Sequence, residues 1–320
     1  MLPLSERGKV TSIPEQISSH ARKLSSAGHD LKYMNVGQPA CGASPEVMDF
    51  LQQQAKKDPL GYSDVSGIMP LRESIAQQYH DNYQIDIDPL QVMVTFGASG
   101  AFHLLYLGLF EPGQSVVLPL PYYPAYYNIA KIMGLKPILM PTSKENNFHP
   151  CVADLEKLDA KPDALLVTSP GNPSGSVIPL EQFKALIHYC EQNDIVLISD
   201  EIYHGIVYDG APKVDSALQF SDQVVVINSF SKYYSMAGWR VGWMVLPKEH
   251  VASLASMARS LYVSMTTASQ YIALGTMADT ATLNTHLQRY KKNRAIMMQE
   301  MPKAGYIDAM NPDGAFYYYA

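Results

Sequence analysis

The residues best suited to chemistry are Ser229, Ser231 and Lys232 in the run Ser-Phe-Ser-Lys, with Arg240 eight positions after the lysine. They lie between two apolar runs, Val224 to Asn228 and Val241 to Leu246. Two hydroxyls and a lysine at the end of one strand, with an arginine opening the next, suit a carbonyl compound that also carries a phosphate. The amine can form an imine, while the hydroxyls and guanidinium take the phosphate. On these residues alone, a solvated Ser/Lys turn accounts for the pattern equally well.

Other polar groups fall at comparable places. Gly97-Ala98-Ser99-Gly100 follows the run Val92 to Phe96 and opens a helix, so its N–H groups can hold an anion, although tight turns need glycine in any case. Pro121-Tyr122-Tyr123-Pro124 follows Ser115 to Leu120, and an aromatic there can stack on a flat heterocycle or simply pack. In Ser169-Pro170-Gly171-Asn172-Pro173-Ser174-Gly175 the flanking prolines hold Asn172 rigidly enough to aim its amide, though turn chemistry explains most of the run. Asp200 and Tyr203 follow Ile195 to Ser199, and a carboxylate at the end of a buried strand is costly unless a cation or donor meets it. A protonated ring nitrogen would serve, and so would a structural arginine.

These residues need a scaffold that brings strand ends to one edge. The β-branched runs named above, with Pro137–Met140 and Ala164–Thr168, alternate with helical segments such as Ala98–Phe110, Ala125–Met133 and Leu180–Asn193. That alternation predicts an α/β fold with a mostly parallel seven-stranded sheet, helices on both faces and ligands beyond the carboxyl ends of the strands. Only about ten residues join the last two strands, too few for a parallel crossover, so the final strand is expected to be antiparallel. Before the sheet, Ile13 to Ala27 reads as a helix, Leu31 to Val36 as a short strand, and Ser44-Pro45 as the start of a second helix. After it the chain reads as helical over about 248–261, 267–277 and 280–301. The closing run Asp313 to Ala320 reads as a strand beginning, so the chain looks cut off within a smaller α+β domain.

Composition narrows the class. With 320 residues and 47% hydrophobic content the chain can bury a substantial core. A net charge of -6, without basic runs or zinc spacing, argues against nucleic-acid partners and metal. Cys41, Cys151 and Cys190 lack CxxC or framework spacing and read as reduced thiols. The N-terminus lacks the apolar core of a signal peptide, and the uncharged run from Val92 to Phe110 contains His103 and glycines, so no membrane span is expected. A cytoplasmic enzyme is the default expectation.

Taken together, Asn172 in Ser-Pro-Gly-Asn-Pro-Ser-Gly, Asp200 and Tyr203 in Asp-Glu-Ile-Tyr, and Ser-Phe-Ser-Lys with Arg240 resemble the pyridoxal-phosphate-dependent aminotransferases of class I/II, of fold type I and aspartate aminotransferase-like. The resemblance runs in order from Gly37 to the last residue. It implies transamination between an L-amino acid and a 2-oxo acid, with Lys232 bonded to pyridoxal 5'-phosphate as a Schiff base and acting as general acid/base. It further implies that Asp200 keeps the pyridinium nitrogen protonated, that Asn172 and Tyr203 bond the phenolic oxygen, and that Tyr123 stacks on the ring. Ser229, Ser231, Arg240 and the backbone of Ala98 and Ser99 would hold the phosphate. Gly37 and Asn172 would meet the substrate. Tyr62, in Tyr-Ser-Asp-Val-Ser-Gly, is similar to a family tyrosine that reaches the neighbouring subunit's phosphate, which implies a homodimer with shared active sites. The implied division is an arm over 1–14, a large cofactor-binding domain over 46–285, and a small domain from 15–45 and 286–320.

The chain also departs from that pattern. Family members carry near the C-terminus an arginine that clamps the substrate α-carboxylate, and this chain stops first, so weak cofactor binding or poor turnover is expected. The lysine that selects dicarboxylic substrates in one branch is replaced by Ser99. Arg259 could meet a distal carboxylate or be a plain exposed residue, and Tyr106 and Tyr262 could line an aromatic pocket or pack in the core. A carbon–sulfur β-lyase would share every cofactor residue, and a regulatory module that binds the cofactor as a sensor is the reading from a different class.

Overall fold

The computed structural model describes residues 3–9 and 13–320. The arm expected over 1–14 therefore lies partly outside the described residues. Strands β1 (Val92–Thr95), β2 (Ser115–Pro119), β3 (Lys136–Met140), β4 (Ala164–Thr168), β5 (Val196–Asp200), β6 (Val225–Ser229) and β7 (Gly242–Val245) form one seven-stranded sheet in the order β1-β7-β6-β5-β4-β2-β3. All neighbours are parallel except β7, which is antiparallel to both β1 and β6. The exception is the one expected from the short connection before it.

The sheet is buried on both faces because its strands are nearly continuous apolar runs. Along β7, Trp243 points into one core with Leu71, Ile75, Phe183, Leu186 and Ile272, while Met244 points into the other with Leu104, Leu105, Ile129 and Leu254. The first core is roofed by helices α3 (Met69–Tyr83), α7 (Leu180–Gln192) and α9 (Thr267–Ala278), and the second by α4 (Gly97–Leu109), α5 (Ala125–Met133) and α8 (Lys248–Tyr262). The remaining helices are α1 (Ile13–Ser26), α2 (Pro45–Ala55), the short α6 (Val152–Leu155) and the long α10 (Thr280–Glu300). Ser44 caps α2 by accepting from the Val47 N–H at 3.3 Å, with Pro45 in the first position. No helix among the described residues is long and apolar enough to cross a membrane.

Register brings the reactive residues to one edge. Thr168 pairs with Asp200, Asp200 with Ile227, and Gly242 with both Thr95 and Ser229. The carboxyl ends of β1, β4, β5 and β6 thus share an edge with the start of β7. Asp200 and Ser229 end their strands rather than following them, a one-residue shift from the sequence expectation.

Two expected strands are absent. Residues 31–36 are irregular, with Tyr33, Met34 and Val36 largely exposed, because no neighbouring strand offers them a ladder. The run from Asp313 makes only an isolated antiparallel bridge between Val207 and Gly314. Its other backbone bonds are scattered, from Ala315 N–H to Ile206 and from Met310 N–H to Tyr319, so residues 313–320 form a strap and not a strand.

Gly242 is where β7 meets the helix. A Cβ there would stand 2.7 Å from the Gly97 carbonyl carbon, 2.8 Å from the Asn228 oxygen and 2.9 Å from the Ala98 nitrogen, all of them backbone. Gly242→Ala should therefore cost about 1–3 kcal/mol of stability in urea titrations, as overpacking in a core does.

Candidate functional site

The site begins with a buried carboxylate. Asp200 is 2% exposed at the end of β5. One of its oxygens accepts from the Tyr126 hydroxyl at 2.5 Å, and the other accepts from the Ile202 N–H at 3.1 Å. Burial pushes this carboxyl up to about 6, against the opposing pull of those donors and of the Lys232 charge. The Tyr126 hydroxyl also lies 3.1 Å from Thr168 Oγ1, which ties β4, β5 and α5 together beneath the site.

Lys232 enters the same pocket from beyond β6. Its Nζ donates to the Gly37 carbonyl and stands 5.8 Å from the centre of the Phe316 ring. Burial lowers its amine to about 8, with the Asp200 charge working the other way and Arg240 adding to the drop. Asn172 Nδ2 donates to the Tyr203 hydroxyl at 3.0 Å and to the Tyr317 hydroxyl at 3.1 Å, and those two hydroxyls are 2.5 Å apart. Tyr317 also explains Gly37, since a Cβ on that glycine would meet the Tyr317 oxygen at 2.3 Å. Asn172, Tyr203, Lys232, Gly37 and Asp200 therefore form one constellation.

A second set of donors lies beside them. Ser229 Oγ and Ser231 Oγ are 2.9 Å apart, with Ser229 also donating to the Val241 carbonyl at 3.0 Å. The Arg240 guanidinium donates to the Ala237 carbonyl at 2.9 Å and reaches the Phe96 carbonyl at 3.5 Å. Arg240 takes a left-handed backbone (φ 56°), and Gly97 (φ 66°) lacks the Cβ that would meet its Nη2 at 2.6 Å. No side chain caps the first turn of α4, so the N–H groups of Ala98 and Ser99 stand with the hydroxyls and the guanidinium as an anion cradle.

Tyr123 is half-exposed and meets the Tyr126 ring edge-on at 5.4 Å, which places it at the mouth of the pocket. Tyr62 is 88% exposed and is not gathered into the site. Arg259 is exposed on α8, Tyr106 is buried among Phe102 and Phe110, and Tyr262 packs edge-on to Phe96, so none of the three joins the constellation. Sequence reasoning missed Tyr126, Thr168 and Tyr317. The 126, 129, 130 apolar stripe of α5 faces the sheet and carried the signal for Tyr126. Nothing set Tyr317 apart from its tyrosine neighbours.

The residues fit pyridoxal phosphate. Asn172 and Tyr203 already hold a phenolic oxygen, that of Tyr317, and the cofactor ring presents the same group. The cradle offers hydroxyls, a guanidinium and a helix N-terminus to a phosphate, and the buried Asp200 would pair with a protonated ring nitrogen.

Comparison with known proteins agrees. Residues 31–320 match the family model described as aminotransferase class I and II. A valine–pyruvate aminotransferase of Mycobacterium tuberculosis is 37% identical over 294 residues, covering 91% of this chain and 76% of that protein. The crystal structure of an aminotransferase from Mycobacterium tuberculosis superposes with a TM-score of 0.96 at 33% identity, covering 99% of this chain and 83% of that one. Aspartate aminotransferase from Thermus thermophilus, solved with maleate, gives 0.92 at 26% identity, over 99% and 85% of the two chains.

Without added ligand, the Asp200 carboxyl at about 6 lies above its ordinary 3.8. The folded protein keeps this proton where the unfolded chain has released it, so the group's contribution to stability falls as pH rises from about 4 to about 6. The displacement corresponds to roughly 3 kcal/mol. Asp200→Asn should unfold at higher denaturant than the native protein at about pH 8, by about 1–3 kcal/mol, and the difference should vanish near pH 4.

Proposed function

The chain belongs to the class I and II aminotransferases, and on that footing we propose how its own residues move an amino group between an amino acid and a 2-oxo acid. Transamination is the reaction, and pyridoxal phosphate is the cofactor the family uses. When bound, that cofactor supplies an aldehyde for capturing amines and a ring that accepts the electron pair left at the substrate α-carbon. The observation that carries the assignment of residues is the meeting of Lys232, Asp200, Asn172 and Tyr203 in one pocket.

Lys232 would be the attachment point, and its Nζ, freed when the substrate amine takes its place, would accept the α-proton and deliver it to the cofactor's carbonyl-derived carbon. An amine lowered to about 8 has a sizeable unprotonated share near neutrality, as a base requires. Asp200 would pair with the ring nitrogen and keep a proton on it, while Tyr126 fixes the carboxylate by donating to it at 2.5 Å. Asn172 and Tyr203 would orient the ring through its phenolic oxygen, and Tyr123 would cover one face. Ser229, Ser231, Arg240 and the Ala98 and Ser99 N–H groups would hold the phosphate. Gly37, with Asn172, receives the substrate.

The exposed Tyr62 supports a homodimer in which this tyrosine completes the partner's phosphate site. Met69, Leu261 and Val263 are exposed apolar residues of the kind such a contact covers. Residues 46–285 act as the cofactor-binding unit, with 15–45 and 286–320 as the smaller unit and 1–14 as an arm. Three free thiols suit the cytoplasm. Ser99 in place of a lysine, and a relative named for valine and pyruvate, support a neutral aliphatic amino donor.

Loaded with pyridoxal phosphate, the protein should show a visible absorption band that Lys232→Ala lacks. L-Valine or L-alanine should bleach the band about ten-fold faster than L-aspartate, as a missing charge partner dictates. Equal rates would remove the substrate assignment, and a persistent band in Lys232→Ala would remove the lysine. Tyr62→Phe should leave the dimer intact by light scattering and raise the cofactor dissociation constant about ten-fold, the loss of one charge-assisted bond.

A further inference from the structure

Behind Asp200 lies a buried polar cluster that the reaction does not use. Glu201, 1% exposed, accepts at one oxygen from Ser216 Oγ at 2.9 Å, the Ala217 N–H at 2.9 Å and Ser199 Oγ at 3.3 Å. Its other oxygen has no hydrogen-bond partner and lies 3.4 Å from His204 Nδ1. His204, 6% exposed, has Nδ1 2.6 Å from the hydroxyl of Tyr83, the last residue of α3, and Nε2 3.0 Å from the Ser169 carbonyl. A carbonyl only accepts, so Nε2 carries a proton and the ring orientation is determined.

Ser169 begins the loop that carries Asn172, and its hydroxyl accepts from the Ile178 N–H at 3.0 Å at the far end of that loop. His204 and Tyr203 are consecutive, so one turn after β5 contacts the loop twice, at the Asn172 amide through Tyr203 and at the Ser169 carbonyl through His204. We propose that His204 is a positioning residue that holds the Asn172 loop at the height where Asn172 and Tyr203 converge, and that Glu201 and Tyr83 are its buried supports. Burial raises the Glu201 carboxyl and lowers the His204 imidazole, and the neighbouring Asp200 charge raises Glu201 further. The cluster therefore rests as a neutral acid beside a neutral ring and leaves the negative charge on Asp200.

This inference rests on the reading of Asn172 and Tyr203 as the holders of the cofactor's phenolic oxygen. It is tested with two polar variants of similar size in the cofactor-loaded protein. His204→Gln places an amide where Nε2 stood and can still donate to Ser169. His204→Asn places one where Nδ1 stood, keeping Tyr83 and losing Ser169. The readouts are the cofactor dissociation constant from fluorescence titration and the pH midpoint of the visible absorption band. Asn172→Ala is the reference, and loss of its donor should raise both. His204→Asn should weaken cofactor binding about five- to ten-fold and move the midpoint in the same direction as Asn172→Ala, while His204→Gln stays within about two-fold of the native protein. Added to Asn172→Ala, His204→Asn should have little further effect, because the amide it positions is already gone. Equal behaviour of Gln and Asn, or full additivity with Asn172→Ala, would overturn the positioning role. If Asn172→Ala itself moves neither readout, the reading of the site fails, and the inference with it.

Discussion

A carboxylate buried at the end of a strand is the constraint on which this molecule depends. Taking a charge into a protein interior costs several kcal/mol even after relaxation, and Asp200 receives only a hydroxyl and one N–H in return. Its carboxyl accordingly rises, and a cationic ring nitrogen placed beside it would favour the charged form. Lys232 feels the same field from the other side. Burial pulls its amine down while Asp200 pulls it back up, which leaves an amine that can both carry and release a proton near neutral pH.

The sheet turns this constraint into geometry. Parallel β4, β5 and β6 deliver Thr168, Asp200 and Ser229 to one edge, and the turn that carries Arg240 keeps it there, where antiparallel β7 begins. Close packing there needs glycine twice. Gly242 lets β7 lie against the first turn of α4, and Gly97 lets the Arg240 guanidinium lie over that turn. A guanidinium, a helix N-terminus and two serine hydroxyls then share a volume that suits one phosphate. Strap 313–320 adds a third constraint from outside the sheet, with Tyr317 against Gly37 and bonded to Asn172 and Tyr203.

Much of this was legible in the sequence. Strand ends could be read because apolar runs give way to polar residues at Ser169, three positions before Asn172, and at Asp200 and Ser229, and a carboxylate at the end of a buried strand is costly unless a donor or cation meets it. The antiparallel β7 followed from the length of the connection before it. What failed was pairing without a partner. The runs 31–36 and 313–320 have strand-like composition, but nearest neighbours decide whether a ladder forms, and composition does not report them. Tyr126 and Tyr317 were missed for a related reason: in a chain with 21 tyrosines, residue type says little until the fold shows which hydroxyl meets a carboxylate or an amide. The buried Glu201–His204 pair is still further from view, since its meaning lies in the Ser169 carbonyl, a backbone atom that carries no sequence signal.

The central claim, that Asp200 exists to hold a proton on a ring nitrogen, is open to direct observation. Nitrogen-15 resonance of ring-labelled pyridoxal phosphate bound to the protein reports whether that nitrogen is protonated. A buried counter-charge predicts a shift in the protonated range from about pH 6 to about pH 9, collapsing to the unprotonated range in Asp200→Ala. An unprotonated nitrogen at neutral pH in the native protein would contradict the account.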